Sequence, residues 1–205
     1  MKSLILGMGP LVYVFPVEAE MITFDHMKTG EMPDGWHASV TGTGTAKWTV
    51  EADETALSKP NVLKQSGVGT FPICVLTNSS LTDGYVEVKF KPLSGQEDQA
   101  GGVLWRWTDD QNYYVARANA LEDNVSIYYT LGGKRHTIKY EKANVAKNQW
   151  HRLRVDFKAN NFTVTFDGEQ VLQVQDDHIK GAGSIGVWTK ADSITLFDEF
   201  QHGTP

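Results

Sequence analysis

The sequence predicts an all-β protein, a sandwich or barrel of short antiparallel strands. Two observations carry that expectation. About a dozen runs rich in β-branched and aromatic residues recur at roughly 8–14-residue spacing, bounded by Gly, Pro, Asn, Asp and Ser. No stretch repeats its apolar residues at helical spacing; the best helical candidate, 176–180, is about one turn. The 205 residues suffice for one substantial core, and no repeat of propeller or solenoid period is present.

Taken in order, the first predicted strand is 21–24, ending at Asp25. The stretch 27–36 is turn-rich: in Pro33-Asp34-Gly35, Pro fixes φ, Asp bonds its own backbone and Gly permits positive φ. Thr41-Gly42-Thr43-Gly44-Thr45 reads as a loop. It lacks the glycine spacing and following helix of a phosphate cradle. Short strands follow at 47–51 and 62–65, then an apolar strand at 73–77. The run 84–91 sets Tyr85, Glu87, Lys89 and Lys91 against Val86, Val88 and Phe90, the pattern of a half-solvated strand. The polar stretch 92–100 reads as a loop.

Three consecutive strands then fill 100–131: 102–108, 112–119 and 124–131, separated by Asp109-Asp110-Gln111 and Leu121-Glu122-Asp123. Alternation places Val103, Trp105 and Trp107 on one face and Leu104 and Arg106 on the other. It groups Tyr113, Val115, Arg117 and Asn119 against Tyr114, Ala116 and Ala118, and Val125, Ile127 and Tyr129 against Ser126 and Tyr128. Rings beside fixed planar donors suit a carbohydrate groove, where rings meet sugar faces and donors meet hydroxyls. The alternative is that the tryptophans are core and the arginines form surface ion pairs.

Gly132-Gly133 signals a tight hairpin into 135–140. Strands at 150–157, 162–166 and 170–174 follow, with a second hairpin turn at Asp167-Gly168. Strands at 182–190 and 193–200 close the chain. Phe197 and Phe200, three apart, both reach a core only if a bulge intervenes near Asp198.

A net charge of −6 without a Lys/Arg run argues against a nucleic-acid binder. The single cysteine, Cys74, excludes an intramolecular disulfide and a multi-cysteine zinc site; its apolar surroundings make it a small buried hydrophobe rather than a nucleophile. No His-x-His or His-x-x-x-His pair occurs. Lys2, the uncharged apolar run 4–17 and Val17-Glu18-Ala19 predict an export signal over 1–19, with one mature domain over 20–205 that is secreted or periplasmic. The run is short for a bilayer span. If the segment is retained, 11–15 supplies an extra edge strand.

The order of features resembles the concanavalin A-like lectin/glucanase superfamily, in its laminin-G-like bacterial branch. The residues carrying the likeness are Gly101-Gly102-Val103-Leu104-Trp105-Arg106-Trp107, Asn112-Tyr113-Tyr114 and the run 117–124. Trp150-His151-Arg152-Leu153-Arg154-Val155, Phe166-Asp167-Gly168, the run 183–190 and Phe197-Asp198-Glu199-Phe200 continue it. The resemblance spans about 21–202 and implies a two-sheet antiparallel jelly-roll β-sandwich. Family 16 glycoside hydrolases, 3-keto-disaccharide hydrolases and non-catalytic carbohydrate-binding modules share that fold. The Glu-x-Asp-x-x-Glu strand of the first group is absent: Glu51-Ala52-Asp53 is followed by Ala56 where the second Glu belongs.

The expected function is therefore glycan or oligosaccharide binding on a concave sheet face. The first alternative is a glycoside hydrolase or lyase of the 3-keto-disaccharide type, and the second a structural or adhesive module. The expected ligand contacts are Arg106, Arg117, Asn119, Glu122 and Asp123, with Trp105, Tyr114 or Trp188 as platforms. Lys190 and Asp192, on the face of Trp188, border the groove. Glu122, Asp123 and His136 are the acid/base candidates for an enzyme. The resemblance also implies a structural calcium where the first and last strands meet, with Asp25 and Asp198 as ligands.

Overall fold

The computed structural model describes residues 19–204, so the expected export signal and the alternative strand at 11–15 lie outside the described residues. The described chain folds into strands without a helix. In order these are β1 (Glu20–Ile22), β2 (Trp36–Thr45), β3 (Trp48–Ala52), β4 (Asn61–Gln65) and β5 (Val68–Leu81). There follow β6 (Gly84–Ser94), β7 (Ala100–Asp109), β8 (Asn112–Asn119), β9 (Asn124–Leu131) and β10 (Lys134–Lys142). The last five are β11 (His151–Lys158), β12 (Asn161–Phe166), β13 (Glu169–Gln175), β14 (Gly183–Trp188) and β15 (Ile194–Gly203). No helix among the described residues is long and apolar enough to cross a membrane.

The strands form two antiparallel sheets. One runs β13-β12-β11-β6-β15-β4-β3, with β1 paired to the far half of β15; the other runs β10-β9-β8-β7-β14-β5-β2. The fold is thus the expected two-sheet sandwich of jelly-roll type. Crossovers such as β7 to β14 place strands distant in sequence side by side, so most of the fold rests on long-range pairing. Inward-facing residues of both sheets interlock in one core: Val86, Val88, Phe90, Leu153, Val155, Phe157, Phe162 and Phe197 from one, Trp105, Tyr114, Ala116, Ile127 and Val187 from the other. Trp105 stacks on Tyr114 at 5.3 Å and meets Phe162 edge-on at 5.3 Å across the sandwich.

The turn chemistry behaves as its residues dictate. Gly132 and Gly133 have φ of 57° and 76°, and Asp167-Gly168 has 48° and 89°. The last strand bulges between Asp198 and Gln201, which lets both Phe197 and Phe200 turn inward. Two expectations are corrected. The 41–45 stretch is not a loop but the end of β2, whose glycines serve close approach: a Cβ on Gly44 would lie 2.4 Å from the Gly69 Cα of β5. The even alternation through 103–107 also fails. Arg106 takes φ of 49° and the register with β8 shifts after Trp105, so Trp107 packs outward while Trp105 stays in the core.

Candidate functional site

The outer face of the seven-stranded sheet carries a second apolar cluster: Ile73, Val75, Leu104, Tyr113, Val115, Tyr128 and Trp188. Cross-strand pairing lays one row of it across five strands as Ile73, Trp188, Gly102, Arg117 and Ser126. The small residues flanking Arg117 leave room for its side chain. A Cβ on Gly102 would lie 3.1 Å from the Arg117 Cβ and 2.6 Å from the Ala116 carbonyl oxygen.

The sheet is strongly curved toward this face. β10 and β5 are five strands apart, about 24 Å on a flat sheet, yet the Arg135 guanidinium of β10 lies 4.7 Å from the Phe71 ring centroid of β5. The same guanidinium stands 4.3 Å from the Tyr128 ring and 5.7 Å from Trp188, and Phe71 stacks on Trp188 at 5.4 Å. Arg135 therefore closes over three rings converging from β5, β9 and β14, a cation–π arrangement strengthened by exclusion of water. Phe71 is the ring of the three that remains part-exposed. With Thr43, Thr70, Glu97 and Lys190 it lines a cleft of about 370 Å³.

Charged groups bracket the rings. Arg117, 2 % exposed, donates from Nη2 to Glu122 Oε2 at 2.7 Å and from Nη2 and Nε to the Tyr128 hydroxyl at 3.0 and 3.3 Å. Burial opposes the charge on Glu122, but the hydrogen bonds from Arg117 and Asn124 and the charges of Arg117 and Lys190 outweigh it and hold the carboxyl below its ordinary value. On the other side, the fully buried Asp98 accepts from Asn119 Nδ2 and from the Lys190 ammonium. Asp98 is oriented by its loop. Asp192 accepts the backbone N–H groups of Gln96, Glu97 and Asp98 at 2.6, 3.0 and 3.1 Å, and these bonds hold its carboxyl low against the cost of burial.

The structure divides the sequence-predicted residues. Arg117, Asn119, Glu122, Trp188 and Lys190 come together on the outer face, although Trp188 is fully buried rather than an open platform. Trp105 and Tyr114 cannot be platforms: both are fully buried between the sheets. Arg106 is placed elsewhere by its bulge. It donates to the carbonyls of Ile179, Thr82 and Ala159 at 3.0, 3.1 and 2.6 Å and lies over the Phe162 ring, at one end of the sandwich. Asp123 sits in a left-handed turn and accepts the Val145 N–H, securing the β10–β11 connection. His136 pairs with Tyr129 and stacks on it at 4.7 Å, on the face opposite Arg117 and Arg135, so it cannot act with Glu122.

Asp25 and Asp198 meet the same loop, but through its protons. Asp25 Oδ1 accepts the Asn61 N–H at 3.0 Å. The fully buried Asp198 accepts the N–H groups of Leu57, Ser58 and Glu199 and the Ser58 hydroxyl, all between 2.7 and 2.9 Å. Donors fill the carboxylate of Asp198, and no group of three His, Cys, Asp or Glu side chains gathers for a metal among the described residues. As arranged, Asp198 is not a calcium ligand, its oxygens being taken by N–H and O–H donors. Cys74 is buried between the sheets, and burial pushes its thiol far up.

Sequence reasoning missed Phe71, Asp98, Tyr128 and Arg135. Parity places Tyr128 on the face of Arg117's partner Ser126, and the Gly-Gly hairpin carries Arg135 opposite Thr130; that much is readable from residue spacing. The approach of Phe71 and Asp98 depends on sheet curvature and a crossover.

This architecture matches a known family model over residues 23–200, described as a 3-keto-alpha-glucoside-1,2-lyase-like domain. The chain belongs to that family. Among solved structures, the family member is similar to the carbohydrate-binding module CBM66 from Bacillus subtilis, at 18 % identity and TM-score 0.69, covering 83 % of this chain and 96 % of that one. It is similar to the cellulose-induced protein Cip1 at 11 % identity and TM-score 0.63, covering 88 % and 96 %. It is also similar to a Bacillus licheniformis β-glucanase at 13 % identity and TM-score 0.56, covering 94 % and 100 %. At these identities the likeness is one of fold. No curated protein matches the sequence.

Proposed function

We propose that this domain binds a glycan on the concave face of its seven-stranded sheet, in the cleft between Phe71 and Lys190. The observation that carries the reading is a part-exposed ring, Phe71, lining a cleft and joined through Trp188, Tyr128 and Arg135 to two buried charged networks on one curved face. A sugar ring stacks on Phe71, Lys190 donates to its hydroxyls, and Glu122 accepts from the neighbouring residue of the chain. The fold shared with a carbohydrate-binding module supports this reading. The segment 1–19 acts as an export signal and brings the domain to polysaccharide outside the cytoplasm.

Titration calorimetry against an oligosaccharide panel tests it. Phe71→Ala should weaken binding about tenfold, the stacking contribution of one ring. Binding that is unchanged by Phe71→Ala, or absent across the panel, would sink the proposal.

The family match favours a second reading, a lyase or hydrolase acting on a glycoside or 3-keto-disaccharide bound at the same face. Glu122 is then the acid/base, because its carboxylate is accessible at the site and Arg117 holds it in place. Mass-spectrometric product analysis separates the two readings: new products from the wild type, lost in Glu122→Gln, make it an enzyme.

A further inference from the structure

The two guanidinium groups of the concave face are unequally matched. Arg117 has Glu122, whereas no carboxylate pairs with Arg135 among the described residues. Both guanidinium groups rest on one ring, Tyr128, at 5.7 and 4.3 Å, and Arg117 adds to the electrostatic cost of charging Arg135: burial, opposed by nearby anionic groups but reinforced by Arg117, pulls Arg135 below its ordinary value. Arg117 Nη1 and Arg135 Nη1 are each buried with no hydrogen-bond partner. A charged N–H shut away from both water and acceptor is costly, and it recurs here on two side chains sharing one ring. Around them the pairing is uneven: Glu122 takes Arg117 and Asp98 takes Lys190, while Glu97, which lines the cleft, pairs with neither guanidinium. The guanidinium groups lack an acceptor at Nη1 of each.

We infer that the glycan carries a carboxylate, as a uronic acid or another oxidised acidic sugar, and that this group docks between Arg117 Nη1 and Arg135 Nη1. The inference rests on the glycan-binding reading above. A planar carboxylate has two oxygens, one for each fork, and supplies an acceptor to both unpartnered Nη1 groups. Arg135 sits on the edge strand β10 and is part-exposed, so its side chain can move aside to admit the group.

The test compares oligohexuronates with the same oligomers reduced at the carboxyl to neutral sugars. At about 50 mM salt the wild type should prefer the acidic form by about tenfold or more, and the preference should shrink as salt rises. Arg135→Gln, checked for folding by circular dichroism, should bring the two forms within about twofold, and Arg135→Lys should retain part of the difference. Equal affinity for both forms, with binding still dependent on Phe71, overturns the acidic-sugar inference and leaves glycan binding standing. If neither form binds, both inferences are overturned. Sodium acetate competing as well as a monomeric hexuronate, at matched ionic strength, would reduce the site to a generic carboxylate pocket and overturn the assignment to a sugar.

Discussion

Arg106 and Arg117 show how much one backbone angle decides. Both are buried, at 4 % and 2 % exposure, and both lie on neighbouring strands of the same sheet. The positive φ at Arg106 turns its side chain toward the end of the sandwich, where three carbonyls from three separate connections accept its protons. Arg117, in regular alternation, stays on the concave face. Arg106→Ala should therefore lower unfolding free energy by about 2–4 kcal/mol, since it orphans buried acceptors and removes packing against Phe162. Glycan affinity should stay at the wild-type level, which urea denaturation and calorimetry on the same variant would check. Gly102→Ala should do the reverse. Its Cβ crowds Arg117 and the Ala116 carbonyl, so affinity falls along with some stability.

At the scale of elements, two loops are held by carboxylates rather than by sheet pairing. Asp192 gathers three N–H groups of the 95–99 turn and so aims Asp98 at Asn119 and Lys190. Asp192→Ala should weaken glycan binding although Asp192 does not itself line the cleft, because the turn that orients Asp98 and carries Glu97 loses its anchor; amide chemical shifts of Gln96–Asp98 would report the loss. Asp198 does the same for 57–58, and its donors leave no opening for a cation. Adding calcium or a chelator should leave the melting temperature unchanged, whereas Asp198→Ala should cost about 2–4 kcal/mol by stranding buried N–H groups. These clasps mark the boundary of what was legible in the sequence. Alternation within 84–91 and 151–157 and the Gly-Gly and Asp-Gly turns each follow from neighbours a few residues apart, and they read correctly. The inward turn of Phe197 and Phe200 was legible too, because three-residue spacing within a strand demands a bulge. The glycines of 41–45 misled because a glycine that breaks a strand and one that admits a neighbouring backbone look identical until β5 is placed beside β2. The bulge at Arg106 carried no comparable signal, and it alone moved one arginine out of the expected site.

The whole molecule couples this curvature to its charge. A flat sheet would keep Arg135 and Phe71 far apart; bending brings β10 over β5, and the price is a face crowded with like-charged groups that carboxylates must balance. That balance makes the fold sensitive to acid. Glu122, Asp176 and Asp192 all titrate below their ordinary values of 4.5, 3.8 and 3.8: burial works against each, and hydrogen bonds from Arg117 and Asn124, from Tyr114 and His178, and from the 96–98 backbone outweigh it. A carboxyl with a depressed folded value binds its proton more readily in the unfolded chain, so the stability it contributes is complete above the ordinary value and is lost as pH falls through the folded one. Asp198 opposes the trend, since burial raises it despite four hydrogen bonds. Glu51 is depressed as well, burial again being outweighed by hydrogen bonds from Lys64 and Thr49, so four depressed carboxyls against one raised group give a net loss on the acid side. Urea midpoints measured from pH 7 downward should hold level to about pH 5 and then fall steadily. Glu122→Gln should start lower at neutral pH and show a shallower fall, because its share of the linkage is gone. A midpoint that rises on acidification would mean that these carboxylates do not stabilise the fold, and a Glu122→Gln acid slope matching the wild type would mean that Glu122 does not secure the concave face.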